Sequence, residues 1–397
     1  MTDRSEDELV APADSSRDGI RNNIFKQCGS GSTYNFAFMR GIKKRWIILV
    51  LLAVIIRVMS FFPEVIEKYY STGLYPVIAS IQRFLFGWVP FSVGDLLYAC
   101  AAIYLLVNIF RLFRTVIRKK ADKLYWRTCF YRMAAAILII YIVFNLFWGL
   151  NYNREGMASQ MHLQMRPYAT DELQQVMTII VKRLDSTNLK ALQTRNVYLQ
   201  KQALFREAYH GYQLAKPQYA HLSYSIKSVK PSLFSYLGDY LGYSGYYNPF
   251  TGEAQVNTTV PVFIQPFTTC HEMGHQLGYA KENEANFAGY LSGKSSTDAA
   301  FVYSVYFDLY NYGMPELFGR DSIRAKELIK QKPLQVKKDI LALRKFYASY
   351  ENPIEPYIRR LYGQYLRANQ QPSGMQSYNE VMAFLIAYYK KYGEEAL

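Results

Sequence analysis

The chain is predicted to be an α+β protein, mainly α, in which three N-terminal transmembrane helices precede a largely helical domain with a small antiparallel sheet. Three observations predict this. Residues 46–150 are dominated by long apolar runs, whereas residues 1–45 and most of 151–397 have ordinary polar content. Apolar residues recur at helical spacing from Asp171 to Tyr219, from Leu334 to Tyr350 and from Val381 to Tyr392. Residues 222–265 break that rhythm, being rich in Tyr, Ser, Gly, Val and Thr, the composition of short strands and turns.

Residues 1–42 carry Ser, Asp, Arg, Asn and Gly without apolar periodicity. They lack a short apolar core ending in a small-residue cleavage site, which predicts a flexible cytoplasmic tail and not a cleaved signal. Lys43, Lys44 and Arg45 then open a membrane domain over residues 43–150. Its first span, about 46–62, ends at Pro63 and holds Arg57 near its far end, where a long side chain reaches the headgroups. The segment Tyr69 to Val89 mixes Tyr, Leu, Ile and Trp88 with Gln82, Arg83 and Pro76, a balance suited to lying in the interface. A second span is expected over about 96–113, capped by Ser92 or Asp95. A third is expected over about 133–150, with Asn145 inside it bonding to a neighbouring helix.

Charge sets the expected topology. Formal net charge is +15, and a dense basic cluster lies between spans two and three: Arg111, Arg114, Arg118, Lys119, Lys120, Lys123, Arg127 and Arg132. The loop after span one has only Lys68 and Arg83 against Glu64 and Glu67. Basic residues beside spans stay in the cytoplasm, so the N-terminus and the 111–132 loop are expected there, and three crossings deliver residues 151–397 to the opposite side. Because the basic residues sit at the ends of apolar segments and do not alternate with aromatic residues on one face, they point to a lipid bilayer as partner and not to nucleic acid. Four cysteines, Cys28, Cys100, Cys129 and Cys270, are too few and too scattered for a disulfide framework.

The chemistry is expected at His271-Glu272-Met273-Gly274-His275. On a helix, residues four apart stand one turn above each other, so both imidazoles can grip one zinc ion while Glu272 reaches water bound to it. Pro266 suits the first turn of that helix and Gly278 its left-handed end. Had the helix continued, Glu282 would lie about 10 Å along the axis from His275, so the chain has to turn between Gly278 and Lys281 before a later acid can fold back. Cys270 would point about 100° away from the metal face and is expected to pack in the core. The turn signal Tyr246 to Gly252 precedes a run, Glu253 to Ile264, that is expected to be a strand leading into the motif helix.

This block resembles the gluzincin metallopeptidases, whose motif helix is followed by a second helix supplying a glutamate, with an acid or amide four residues later that supports a histidine ligand. Glu282-Asn283-Glu284-Ala285-Asn286 fits the E-x-x-A-D/N form, which implies Glu282 as third ligand and Asn286 behind a histidine. Asn283-Glu284-Ala285 also matches the N-E-A of another gluzincin branch, which implies Glu284 instead. The interval between motif and acid is shorter than is usual in gluzincins, and position 281 is Lys, where a metzincin would carry its third histidine. The three spans together with G-Y-Y-N-P-F-T-G-E-A-Q-V-N, C-H-E-M-G-H-Q-L-G and E-x-E-A-N-F also resemble a bacterial membrane-protein family of unassigned function with zincin-like motifs. That resemblance implies a bacterial inner-membrane protein with an extracytoplasmic, zincin-like domain over residues 151–397.

The expected activity is zinc-dependent hydrolysis of peptide bonds in envelope proteins or peptides, with Glu272 as the proton carrier. In peptidases of this type an edge strand before the motif helix pairs with an extended substrate, which would assign that role to Glu253, Ala254, Gln255, Val256 and Asn257. Tyr290 and Tyr303, which follow the motif closely, are the expected oxyanion donors. His210 and His221 are expected to be surface or core histidines. The alternative is a catalytically idle zinc domain that binds a partner at the membrane, a role for which a carboxylate at position 272 has no use.

Overall fold

A computed structural model of the protein describes residues 31–397, with side chains from residue 44 onward. The expected tail therefore lies outside the described residues as far as residue 30, while residues 31–42 belong to the first helix, α1 (Gly31–Met59). Pro63, which cannot donate to a preceding turn, begins a new helix. This α2 (Pro63–Phe86) is bent by 101° from the Lys44–Met59 part of α1 and contains a π-helical stretch at Ile66–Leu74. Next come α3 (Val93–Ile117) and α4 (Lys123–Phe147), each long and apolar enough to cross a membrane. Ser92 caps α3 by accepting from Asp95 N at 3.0 Å, and Asp122 caps α4 by accepting from Tyr125 N at 2.7 Å. The outward faces of this hairpin, including Tyr104, Leu106 and Ile137, are exposed, as contact with lipid requires.

Two of the three predicted spans are thus recovered as separate helices, while α1 and α2 make a third only if counted together as one broken span. The segment expected to lie in the interface is a two-faced helix. Tyr75, Ala79, Gln82 and Arg83 are buried against the rest of the protein, and Val77, Ile81, Phe84 and Leu85 are exposed. Asn145 bonds within its own helix, to Tyr141 O at 2.9 Å, and not through its side chain to a neighbour.

The remaining chain is helical around a large apolar core: α5 (Thr170–Thr194), α6 (Lys201–Ala215), α7 (Ser235–Leu241), α8 (Gln265–Gln276), α9 (Glu282–Lys294), α10 (Ala299–Arg320), α11 (Ser322–Gln331), α12 (Leu334–Ser349), α13 (Glu355–Ala368) and α14 (Val381–Tyr392). The strands are β1 (Val229–Pro231), β2 (Gly245–Asn248) and β3 (Glu253–Val256), in the order β1-β3-β2. The sheet is mixed, with β1 parallel and β2 antiparallel to β3, which corrects the expected antiparallel sheet. The excursion through α7 carries the chain from β1 to the far edge, so the next hairpin strand fills the middle.

That order overturns the substrate role given to Glu253, Ala254, Gln255, Val256 and Asn257. Glu253 to Val256 form the central strand with both flanks paired, all five residues are buried, and none offers a free edge. Glu253 instead accepts from Val93 N (3.2 Å) and Gly94 N (2.6 Å) at the start of α3 and from the Thr251 hydroxyl (2.9 Å). An anion at a helix N-terminus satisfies amides that have no partner within the helix.

The membrane half and the half that carries the two-histidine motif are bonded at several further points. Tyr75 Oη donates to Gln276 O (3.0 Å), a carbonyl that the last turn of α8 leaves free, and Trp148 Nε1 donates to His275 O (3.3 Å), which also accepts from Gly278 N at 2.9 Å. Buried Arg154 pairs with Glu67 of α2 at 2.6 Å and donates to Gly278 O at 3.1 Å. The boundary expected at residue 150 therefore separates sequence composition more than it separates structure.

Candidate metal centre

The site is made by the crossing of α8 and α9. Pro266 lies in the first turn of α8, and Gly278 ends the helix in the left-handed region (φ 85°), where a side chain would be strained. The turn lets α9 start at Glu282 and pack back along α8. The two backbones come very close: a Cβ on Gly289 would stand 3.1 Å from His271 N, and one on Gly274 would stand 3.1 Å from Ala288 Cβ. This closeness brings an acid seven residues beyond the motif onto the histidine face.

His271, His275 and Glu282 are buried, and one ligand atom from each lies within 4.8 Å of the others. Glu282 Oε2 is 3.3 Å from His271 Nε2 and 3.5 Å from His275 Nε2. The other ring nitrogens are committed: His271 Nδ1 meets Asn286 Oδ1 at 2.7 Å, and His275 Nδ1 meets Tyr279 O at 2.7 Å. Asn286 is itself oriented, since its Nδ2 donates to Tyr378 O at 3.0 Å. Because each Nδ1 faces an acceptor it carries a ring proton, so in the neutral rings the Nε2 lone pairs are aimed at Glu282. Glu282 Oε2 has no hydrogen-bond partner. Three electron-rich atoms thus converge in a buried space.

The electrostatics carry the same message. Burial alone would raise the Glu282 carboxyl, but His275 and His271 opposite reverse that and hold it well below the usual carboxylate range. Burial would lower His275, yet the Glu282 carboxylate overrides it and lifts the imidazole to about 9. Burial prevails at His271, which titrates lower than an ordinary histidine. The Glu282 carboxylate thus stabilises a proton on His275 and is itself held ionised by it.

Glu272 lies beside this cluster in the wall of two cavities, of about 590 Å³ and 410 Å³, that share His271, Glu272, Gly245 and Tyr246. Burial pushes its carboxyl up to about 8, and its Oε2 has no hydrogen-bond partner. β2 makes room for it: a Cβ on Gly245 would lie 2.6 Å from Glu272 Oε1.

The other expected residues fall elsewhere. Glu284 Oε1 accepts from Met157 N at 3.1 Å, outside the histidine cluster. Tyr290 and Tyr303 line neither cavity. Tyr290 points to Ala396 O (3.4 Å) and Tyr303 donates to Asp339 (2.7 Å), so neither can serve as an oxyanion donor. Both are buried, because the faces of α9 and α10 that carry them turn into the core. The tyrosines at the centre come from much later in the chain. Tyr362 Oη donates to Glu282 Oε1 (2.9 Å) and lies 3.4 Å from Tyr378 Oη, while the Tyr378 ring stacks on His271 with centroids 6.1 Å apart. With 36 tyrosines in the chain, no local pattern singled these out. Cys270 is buried and free.

Fold and site together define a membrane-associated, mainly helical protein with a buried two-histidine, one-glutamate cluster at the extramembrane end of a helical hairpin. The chain belongs to the family described as "Protein of unknown function (DUF3810)", whose profile matches residues 70–386. That match takes in most of α2, the hairpin and the cluster, so the family unit is the coupled assembly and not its extramembrane part alone. No curated protein and no solved structure matches the chain.

Proposed function

We propose that this protein is a membrane-anchored, zinc-dependent peptidase of gluzincin type, anchored in a bacterial inner membrane with its N-terminus in the cytoplasm and its site on the opposite face. The observation that carries the reading is the convergence of two committed imidazoles, each presenting a lone pair, with a carboxylate oxygen that has no other partner. That donor set suits zinc, with His271, His275 and Glu282 as ligands and Asn286 supporting His271. When bound, the ion would activate a water and polarise a carbonyl. Glu272 Oε2 accepts a proton from the attacking water and delivers it to the leaving amine nitrogen. The Tyr362 and Tyr378 hydroxyls replace Tyr290 and Tyr303 as donors to the developing oxyanion.

The free edge available to an extended substrate is that of β2, whose Gly245 and Tyr246 line both cavities. Tyr98, near the start of α3, lines both cavities as well, and Phe144, near the end of α4, lines the smaller one. The bond to be cut accordingly lies close to the membrane surface, which favours juxtamembrane segments of envelope proteins as substrates.

The test uses the full chain in detergent or nanodiscs, because a fragment beginning at residue 151 would lose the bonds from Tyr75, Trp148 and Glu67. One zinc per chain is expected, with cleavage of a broad peptide library that stops on chelation and returns on adding zinc. Stoichiometric zinc without cleavage of any peptide would instead favour an idle zinc domain that binds a partner.

A further inference from the structure

The larger cavity holds a second unsatisfied carboxyl, away from the histidines. Asp308, on α10, lines it together with Phe267, Tyr312, Tyr347 and Tyr378. Asp308 Oδ2 is buried with no hydrogen-bond partner among the described residues. The basic side chain in this cavity, Arg359, is engaged by Glu355 at 2.8 Å. Burial drives the Asp308 carboxyl well above the ordinary aspartate range, with no cation nearby to offset it. A core built for stability alone would have a partner or an apolar residue at this position, because an unpaired buried carboxyl costs free energy and Leu would not carry that cost. Aromatic rings around a carboxylate are, by contrast, a good receptor for an organic cation, which gains an ion pair and the ring faces together.

We propose that Asp308, walled by Tyr312 and Tyr347, is a recognition subsite for a cationic group of the substrate, the ammonium or guanidinium of a Lys or Arg side chain, held in the cavity that also contains Glu272. As a statement about cleavage specificity the inference rests on the peptidase reading; as a statement about cation binding it does not. The cavity of about 590 Å³ has room for such a side chain beside a length of main chain.

Two measurements on the full chain separate these. In the first, internally quenched peptides carry Lys, Arg or the neutral norleucine at each position flanking the cut. The wild type should prefer Lys or Arg at one position by about 10-fold or more. Asp308→Asn should lose that preference while cutting the norleucine peptides at the wild-type rate. Absence of a preference, or its survival in Asp308→Asn, overturns the assignment. In the second, arginine amide and its neutral analogue citrulline amide are titrated against the protein and binding is read by thermal shift and calorimetry. Arginine amide alone should bind, and Asp308→Asn should abolish it. If no peptide is cut but this pattern holds, the peptidase reading fails and the subsite stands; if neither amide binds and no preference is seen, the subsite fails. Asp308→Asn should fold about as stably as the wild type, since it exchanges an unpaired carboxyl for a neutral carboxamide of the same shape, and the melting temperature checks this.

Discussion

Glu253 and Glu282 are both buried glutamates on elements packed against α8, and they differ in what surrounds them. Glu253 receives two amides from the start of α3 and a threonine hydroxyl, each placed to donate. Glu282 keeps one oxygen for Tyr362 and turns the other toward the Nε2 atoms of two imidazoles whose Nδ1–H groups point to other acceptors. One carboxylate is a joint between the membrane hairpin and the sheet; the other belongs to the cluster proposed to hold a cation. Burial does not distinguish them, and neither does a single unpaired atom, since isolated ones occur at His221 Nε2 and Gln82 Oε1. What marks a candidate metal centre is the convergence of several ligand atoms on one point.

The sharpest way to test this contrast is to remove chemistry without removing the cluster. Glu272→Gln should lower peptide turnover by about 10²–10⁴-fold, the range for losing a general base, while zinc content and melting temperature stay at wild-type values. Loss of zinc together with turnover would mean that Glu272 holds the cluster together instead of carrying a proton. On the other side of the comparison, Glu253→Ala leaves the Val93 and Gly94 amides and the Thr251 hydroxyl unpaired in a buried place. It should cost about 3 kcal/mol of stability. Turnover per folded molecule should be unchanged; an unaltered melting temperature combined with lost turnover would restore the substrate role to that strand.

The reasons why some of this was legible in the sequence are local. His271 and His275 are one helical turn apart, Gly278 can only be a break, and Glu282 and Asn286 are again one turn apart, so both faces of the crossing follow from the 3.6-residue repeat. The close approach of α9 to α8 at Gly274 and Gly289 could not be read from the sequence, because only the packed structure shows that a side chain is excluded there. Strand order was not legible: strands of three or four residues carry too little alternation to say which is central, and Glu253 reads equally well as edge or interior. Nor was the identity of the tyrosines at the centre. Tyr362 and Tyr378 reach it through helix packing far along the chain, while Tyr290 and Tyr303, near in sequence, face the core. The hairpin's hydropathy announced its spans but not that Tyr75 and Trp148 cap the helix bearing the motif.

Asn286 tests how far the cluster depends on its support. Replacing it with Ala leaves His271 free to rotate and to change tautomer, and zinc affinity should fall by about 10–100-fold in a chelator competition. Cleavage at saturating zinc should recover most of its rate. An unchanged affinity would show that the packing of Tyr378 on the imidazole already fixes the ring.

His221 offers the smallest effect and the cleanest control, being a largely buried histidine with an unpaired Nε2 but no converging acid. Burial, helped by Arg154, lowers it from 6.5 to about 4, so the folded protein holds it neutral where the unfolded chain would protonate it. Its contribution is complete above pH 6.5 and is lost as pH falls toward 4, because the unfolded state binds the extra proton in that window. Between pH 7 and pH 5 this should remove no more than about 2 kcal/mol of stability. His221→Gln should flatten that part of the wild-type pH dependence while leaving zinc stoichiometry intact. If the substitution instead released zinc, His221 would belong with His271 and His275, and the separation of lone unpaired atoms from converging ones would fail.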